Sequence, residues 1–481
     1  MGKLFIFGIG GTGARVIRSL TLLLGTGMSI NAPEIIPILI DPDSSNGDVN
    51  RTIDLLNTYR NIQSFLPDRK KGFFHANISP ISINETKGSF LFSLNKIQNL
   101  KFRDYISYHS LSESNKYLID LLYSDSNLNL EMQVGFKGNP NIGSVVLNQF
   151  SNSPDFKNFA NHFSKDDRIF IISSIFGGTG ASGFPLLLKN IRHADKNTPN
   201  HAFLRDSKIG ALTVLPYFGL QQEERSSIEK ESFIPKTKAA LDYYEKNINS
   251  SLDSMYYIGD NFTKDYSNHE GQSLQKNEAH FVELASALGI IDFMEKTDSE
   301  LQRGMVYKEY GIKNDKDELN FDSLGKKSRE QLLSPLSSYI LFIKYIELKL
   351  VYSINRKQTW TIEGDKKIDL NFLSSPFLKN YITTFNSYFL EWLRELSYNK
   401  RSFNPFNLKI TEKNLFSIIG GLQEKKGFRQ RKNFDAFDTE LNSYVRHISN
   451  DLSREEKFLH LFEEAIKNLL KIKYEIGVVN A

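Results

Sequence analysis

The 481-residue chain contains no cysteine, which excludes disulfides, thiolate zinc sites and thiol nucleophiles and favours a reducing compartment. It has no marked excess of charge: 60 Lys and Arg against 56 Asp and Glu leave a net charge of +4, so nucleic acid is not indicated as a partner. No window approaches the roughly 18 apolar residues of a transmembrane helix, and glycines interrupt the apolar run near the N-terminus before a signal-peptide core forms. We therefore expect a cytoplasmic protein without a membrane span.

The length is sufficient for two or three domains. Over the first 295 residues, short apolar runs typical of buried parallel strands alternate with helical periodicity. From about Arg329 onward the pattern is almost entirely helical. The chain is thus predicted to form a parallel-sheet α/β domain over residues 1–295, with a central helix at about 271–295, and a mainly α-helical C-terminal domain over residues 296–481.

Two glycine-rich turns each follow an apolar strand pattern and open a helical one. They are GIGGTG at Gly8–Gly13 and GGTGASG at Gly177–Gly183. Parallel strands place both turns at the same edge of a sheet, where two helix N-termini directed at one crevice suit a polyphosphate.

Other interpretations of the first turn remain open. The pattern G-x-G-x-x-G, with Asp41 at the end of the next strand, also fits a Rossmann unit of an NAD-dependent oxidoreductase, in which Asp41 would bind ribose hydroxyls. A tight turn that binds nothing is the plainer alternative. The second glycine turn argues against both, because neither needs it.

The order of these motifs resembles the tubulin/FtsZ superfamily of polymerising GTPases. The run FGGTGASG resembles the family's G-G-G-T-G-[ST]-G loop, with Phe176 at the first glycine position and Ala181 at a hydroxyl position. ILIDPDSS resembles the acidic loop after the second strand, and GFKGNPNIG at Gly135–Gly143 resembles the loop that senses the γ-phosphate. The resemblance covers about residues 1–295 and implies a Rossmann-like GTP-binding domain.

The resemblance implies GTP or GDP as the ligand, together with Mg²⁺. The residues that it assigns to the nucleotide are Gly10, Gly11, Thr12, Gly13, Asp41, Asp43, Gly138, Asn139, Gly177, Gly178, Thr179, Gly180, Ala181, Ser182, Gln221, Arg225, Asp260 and Asn277. Asp41 and Asp43 are its implied water-mediated magnesium ligands, a role suited to hard oxygen donors.

Besides Phe176 and Ala181, the sequence departs from the family at two positions and in one loop. Gln221 stands where a ribose-binding Glu is usual. Asp260 or Asn261 and Asn277 are the candidates for guanine recognition, but Ser273 occupies the position of the stacking aromatic residue. After the central helix, FMEKTDSELQRGMV does not preserve the N-x-D-x-x-E-like loop that positions the attacking water.

The sequence therefore predicts a tubulin-like, GTP-binding switch that self-assembles into filaments or oligomers and binds a protein partner through its helical domain. The missing water-positioning loop leaves GTP hydrolysis open and identifies no catalytic residue. A non-hydrolysing scaffold and an NAD-dependent oxidoreductase are the alternatives.

Overall fold

A computed structural model of the chain describes most of its residues. The described residues are 2–43, 45–81, 90–92, 94, 97, 99–132, 135–136, 138–217, 219–220, 233–260, 265–266, 276–301, 317–425, 433–449 and 451–476.

Five parallel strands form the principal sheet, in the order β2-β1-β3-β4-β6. The strands in chain order are β1 (Leu4–Ile9), β2 (Ile35–Ile40), β3 (Arg168–Ser174), β4 (Lys208–Val214), β5 (Gly219–Leu220), β6 (Ser254–Ile258), β7 (Asp265–Tyr266), β8 (Glu318–Leu319) and β9 (Ser402–Phe403). The first three strands are buried on both faces, which explains their continuous apolar sequences.

Helices cover both faces of the sheet and make up most of the C-terminal region. The α-helices are α1 (Gly10–Gly25), α2 (Gly47–Gln63), α3 (Phe102–Tyr105), α4 (Glu113–Leu122), α5 (Asp125–Leu128), α6 (Pro140–Leu147), α7 (Pro154–His162), α8 (Gly178–Arg192), α9 (His201–Asp206), α10 (Phe233–Asn247), α11 (Phe281–Glu295), α12 (Lys326–Leu348), α13 (Leu350–Asn355), α14 (Thr359–Ile362), α15 (Leu370–Leu373), α16 (Thr383–Tyr398), α17 (Asn433–Tyr444) and α18 (Arg454–Tyr474). A π-helical stretch, Pro376–Ile382, leads into α16.

Successive side chains along each strand point to opposite faces of the sheet, and each face is covered by a different layer of helices. Phe5 and Phe7 of β1 pack against Phe159 of α7 on one face. On the other face, Phe170 of β3 packs against Phe293 of α11. A sheet covered in this way on both faces is a doubly wound α/β domain.

The helical C-terminal region packs directly on α1. The indole of Trp392 in α16 donates a hydrogen bond to Ser19 of α1, with Nε1 and Oγ 3.2 Å apart. A Cβ on Gly25, at the end of α1, would lie 2.3 Å from the ring of Phe385. Because glycine has no side chain, α16 can pack directly against the backbone of α1 at this point. Every residue of α1 except Gly11 is buried.

The predicted architecture is confirmed: a parallel α/β sheet with flanking helices is followed by a mainly helical region. The central helix begins later than predicted within the described residues, because residues 276–280 are not helical and the His280 side chain caps α11. Within the described ranges, no helix is long and apolar enough to cross a membrane. The domain boundary at residue 295 and the cytoplasmic location stay predictions.

Candidate functional site: a glycine-lined crevice

The two glycine turns meet at the carboxyl edge of the sheet. The connection from β1 leads through α1 to β2 on one side, while β3 lies on the other, so a topological switch point falls between β1 and β3. A Cβ on Gly10 would lie 3.7 Å from Cβ of Thr179 and 3.9 Å from the backbone nitrogen of Gly180. The structure thus brings the first and second glycine turns into direct proximity.

The third glycine-containing loop closes one side of this crevice. A Cβ on Gly178 would lie 3.1 Å from the backbone nitrogen of Gly138 and 3.2 Å from that of Asn139. Gly138 has a φ of 72°, in the left-handed region that glycine tolerates best. Lys236 of α10 donates to the Gly138 carbonyl at 3.2 Å and adds a positive charge beside the loop.

Three helices start at these loops without a side-chain cap. The N-cap residues of α1, α8 and α6 are Ile9, Gly177 and Asn139, and none accepts a capping hydrogen bond through its side chain. Helices α2, α7 and α18 are instead capped by side chains. An uncapped N-terminus presents N–H groups and the positive end of the helix dipole, which together favour an anion.

Two of the predicted loop hydroxyl groups, those of Ser182 and Thr12, form hydrogen bonds within the protein. Ser182 Oγ donates to the Gly178 carbonyl at 2.6 Å, inside the first turn of α8. Thr12 Oγ1 lies 3.5 Å from an Nη atom of Arg15, which donates to it. Ala181, in the same turn as Ser182, is half-buried and adds no polar side chain.

Two aspartates follow β2 at the same edge of the sheet. Asp41 accepts hydrogen bonds from the Asp43 backbone N–H at 2.9 Å and from the Asn46 side chain at 3.3 Å. Burial raises the pKa of Asp41 to about 7, and the nearby carboxylates of Asp43 and Asp48 add to the effect. A divalent cation would offset the repulsion among these neighbouring carboxylates. Their oxygen atoms are therefore suitable donors for Mg²⁺. The described residues include no group of three or more acidic or histidine side chains arranged to hold a metal.

A buried charged cluster, not foreseen from the sequence, lies behind the first glycine turn. Arg15 donates to Glu283 at 2.5 Å, to Asp48 at 2.8 Å and to the Tyr217 hydroxyl at 3.1 Å. Both carboxylates are fully buried. Burial alone would lower the pKa of Arg15, but Tyr217, Glu283 and Asp48 raise it well above its usual value. The sequence does contain one indication of this cluster. The apolar periodicity of α1 predicts a buried helix, and an arginine on a buried helix requires acidic partners nearby.

Asn277 and Asp260, the predicted base-recognising residues, both contact other parts of the chain. The Asn277 backbone N–H and side-chain Nδ2 donate to the two carboxylate oxygens of Asp48, at 3.1 and 2.8 Å. Asp260 forms a bidentate ion pair with Arg401, which follows α16. His280 is close enough to Asp260 to feel its charge, but burial lowers the pKa of His280 to about 4. Arg401 of the helical region thus reaches the segment that follows the carboxyl end of β6.

The acidic residues after α11 are also engaged within the chain. Glu295, the last residue of α11, pairs with Lys327 at 2.7 Å. Asp298 pairs with Arg168 at 2.7 Å, and Glu300 accepts from the Thr297 backbone at 2.8 Å. These contacts anchor the carboxylates that stand in place of a water-positioning loop. Gln221, Arg225 and Asn261 lie outside the described residues, so their assignments stay predictions.

Comparisons with known proteins give matches in structure only. No protein-family model and no curated protein matches the chain. CetZ2 from Haloferax volcanii, solved as a GTPgS-bound protofilament, matches 53% of this chain and 49% of its own, with 12% identity and a TM-score of 0.26. CetZ from Methanosaeta thermophila strain DSM 6194 matches 53% of this chain and 45% of its own, with 13% identity and a TM-score of 0.24. The chain therefore spans about half the length of each, and both are proteins of the tubulin/FtsZ family that the sequence motifs resemble.

Proposed function

We propose that this chain is a tubulin-like protein that binds GTP or GDP, with Mg²⁺, in the glycine-lined crevice and acts as a nucleotide-dependent switch. The observation that carries the proposal is the convergence of three uncapped helix N-termini, those of α1, α6 and α8, on one switch point of the sheet. Their N–H groups and dipoles supply binding energy for a polyphosphate without any charged side chain.

The contact between the second and third loops supports a switching role. Because the backbone of Gly138 and Asn139 approaches Gly178 so closely, a terminal phosphate bound at the second loop would also contact the third. Such a contact orders the third loop in one nucleotide state and releases it in another. Lys236 on α10 would follow that change, since it is bonded to the Gly138 carbonyl.

Self-assembly into filaments or oligomers is the proposed output of the switch, in keeping with the motifs' resemblance to polymerising GTPases. A protein partner for the helical region remains part of the same proposal. Pelleting and light scattering with GTP, with GDP and without nucleotide test whether self-assembly depends on the nucleotide. Assembly that is independent of nucleotide would contradict a switch.

A non-hydrolysing scaffold is the second candidate, and the acidic residues after α11 favour it. Each of them already has a partner within the chain, such as Arg168 for Asp298, although the Asp298 side chain is 77% exposed. Phosphate release above the buffer rate at assembling concentrations would favour the GTPase, and its absence would favour the scaffold.

The first experiment is to denature the purified protein and identify the released nucleotide by chromatography, before and after incubation with GTP, ATP or NAD. We expect GTP or GDP. Gly178→Val should abolish binding, because its side chain would displace the third loop, while Gly325→Ala should not, since a Cβ there meets no atom within 4 Å. Bound NAD that survives Gly178→Val would overturn the proposal in favour of an oxidoreductase.

A further inference from the structure

Helix α4 is amphipathic, and its apolar face points to solvent. Of its ten residues, all of which the structure describes, none is buried. Tyr117 is 69% exposed, Leu118 54%, Leu121 85% and Leu122 60%. At about 100° per residue these four side chains share one face of the helix, with Ser114 near its centre. The chain thus exposes the kind of helix face that a globular protein normally buries.

The other side of α4 is bound to the protein, which fixes the outward direction of the apolar face. Tyr108 donates hydrogen bonds to both carboxylate oxygens of Asp120, at 2.8 and 3.0 Å. Tyr123, directly after the helix, packs edge-on against the buried ring of Phe102, with ring centroids 4.9 Å apart. Ile119 packs against the core. Because these residues lie away from the apolar face, α4 cannot turn that face inward without breaking their contacts.

The exposed apolar area of α4 is close to what one half of a stable interface requires. A fully exposed side chain of this size carries roughly 150–200 Å², so the exposed fractions of the four side chains amount to about 450 Å² on each copy. Two such faces would bury about 900 Å² of apolar surface, and a specific interface needs about 1,000 Å² in total. Flanking polar residues such as Ser114 and Asn115 have to supply only the remainder.

The charges around the apolar face indicate which partner fits it. Within residues 113–125, the carboxylates of Glu113, Asp120 and Asp125 stand against one cation, Lys116. All three carboxylates are exposed and would repel anionic lipid headgroups or nucleic-acid phosphates. Lys116 pairs with Glu113 at 3.0 Å, on the side of the helix opposite the apolar face. The face itself carries no charge, so it can pack against the same face of a second copy without opposing like charges.

We propose that the apolar face of α4 binds the same face of a second copy of this chain, in a closed two-fold symmetric dimer. Leu118 and Leu121, at the middle of the face, lie nearest the axis. The inference goes beyond the proposed function, because every residue assigned to the nucleotide lies outside α4 and the contact requires no nucleotide. A two-fold contact occupies the face on both copies and closes, so the dimer does not pellet and is distinct from nucleotide-dependent filaments.

The first test is the molar mass of the full chain without added nucleotide, measured by sedimentation velocity over a range of concentrations. We expect a dimer of twice the 55.2 kDa of one chain. Leu121→Glu places a charge from each copy in the interface and should raise the dissociation constant of the dimer by at least about tenfold. The fold should be retained, because Leu121 is exposed. Leu370→Glu is the matched control, since Leu370 is an exposed leucine of α15, outside the face, and should leave the dimer unchanged.

The absence of native cysteine allows a direct test of the symmetry. Leu121→Cys gives each copy one thiol, and two thiols near a two-fold axis are within reach of a short bismaleimide. We expect a covalent dimer from this variant on a denaturing gel. Leu370→Cys, treated in the same way, should stay monomeric on the gel.

Each outcome supports or overturns the dimer. Dissociation by Leu121→Glu but not by Leu370→Glu, together with the cross-link, supports it. A wild type that is monomeric at every concentration overturns it, and binding of that monomer to phosphatidylcholine vesicles, lost in Leu121→Glu, would assign the face to lipid. A dimer that Leu121→Glu leaves intact uses another surface and also overturns it.

Loss of the dimer in Leu121→Glu without a cross-link in Leu121→Cys would mean that α4 contacts a different surface of the second copy, which overturns the two-fold contact. The nucleotide released from denatured Leu121→Glu should match that from the wild type. Failure of the proposed function would appear in that assay and leave the molar mass unaffected, so the two proposals fail separately.

Discussion

The first and second glycine turns have similar sequences but different structural support. Both leave a buried parallel strand and open an uncapped helix, α1 or α8. Behind the first turn, Arg15 is surrounded by buried carboxylates. Behind the second, small residues pack closely, and a Cβ on Gly143 would lie 2.2 Å from Ser182 Oγ. A glycine motif therefore specifies the local turn, while its surroundings decide whether charge or steric fit holds it in place.

The largest expected effect is on the first turn alone. Arg15→Met would leave Asp48 and Glu283 buried without their shared cation, and breaking a buried ion pair costs about 3–5 kcal/mol. Chemical denaturation of the apo protein measures the change. The matched variant on α8 is Lys189→Met, at an exposed position, which should change the free energy of unfolding by less than about 0.5 kcal/mol. Equal losses in the two variants would remove the distinction between the turns.

The charged side of the crevice also predicts a pH dependence. The folded pKa of Asp41, about 7, exceeds its ordinary value of 3.8, so the folded state binds the proton more tightly than the unfolded state. Stability in the absence of nucleotide and Mg²⁺ should therefore fall as pH rises from about 4 to about 7, by up to about 4 kcal/mol, and then stay level. Asp41→Asn should remove this part of the slope. If the stability difference between wild type and variant were constant with pH, Asp41 would not be the source of the slope.

Steric support predicts similar losses in the two turns. A methyl group on Gly13 would lie 2.5 Å from the Gly8 carbonyl carbon, and one on Gly180 would lie 2.8 Å from the backbone of Ser174. In both cases backbone must move away from backbone, so Gly13→Ala and Gly180→Ala should each cost about 2–3 kcal/mol. Thermal unfolding with circular dichroism tests both. Tolerance of either methyl group would show that the strand and helix are not in close contact there.

The smallest effect is expected at Gly10, where space is available and only the backbone conformation is special. Its φ is 72°, and a Cβ would make ordinary contacts, the nearest at 3.7 Å. Gly10→Ala should therefore cost about 1 kcal/mol through strain in the left-handed region. The difference between Gly10→Ala and Gly13→Ala, measured in the same assay, separates conformational strain from steric overlap. A larger loss at Gly10 would reverse this assignment.

Much of the fold follows from the sequence because its signals are local. The apolar strand at Ile35–Ile40, the glycine turns and the helical periodicity after Arg329 each depend on neighbouring residues. The start of α11 was less predictable, since it depends on His280 acting as a cap, a role that sequence statistics rarely assign to histidine. The ion pair between Asp260 and Arg401 joins residues 141 positions apart, and no local pattern indicates it.

By itself, the sequence determined that two glycine turns would end parallel strands at one edge of a sheet, because strand and helix periods and glycine's conformational freedom act over a few residues. Only the tertiary structure decided that the third loop packs against the second and that Asp48 holds Asn277. It also placed α16 against α1, with Arg18 bonded to Glu395. These contacts depend on burial, because a buried charge is costly unless it is paired. The partner is often distant in the sequence, so only the tertiary structure identifies it.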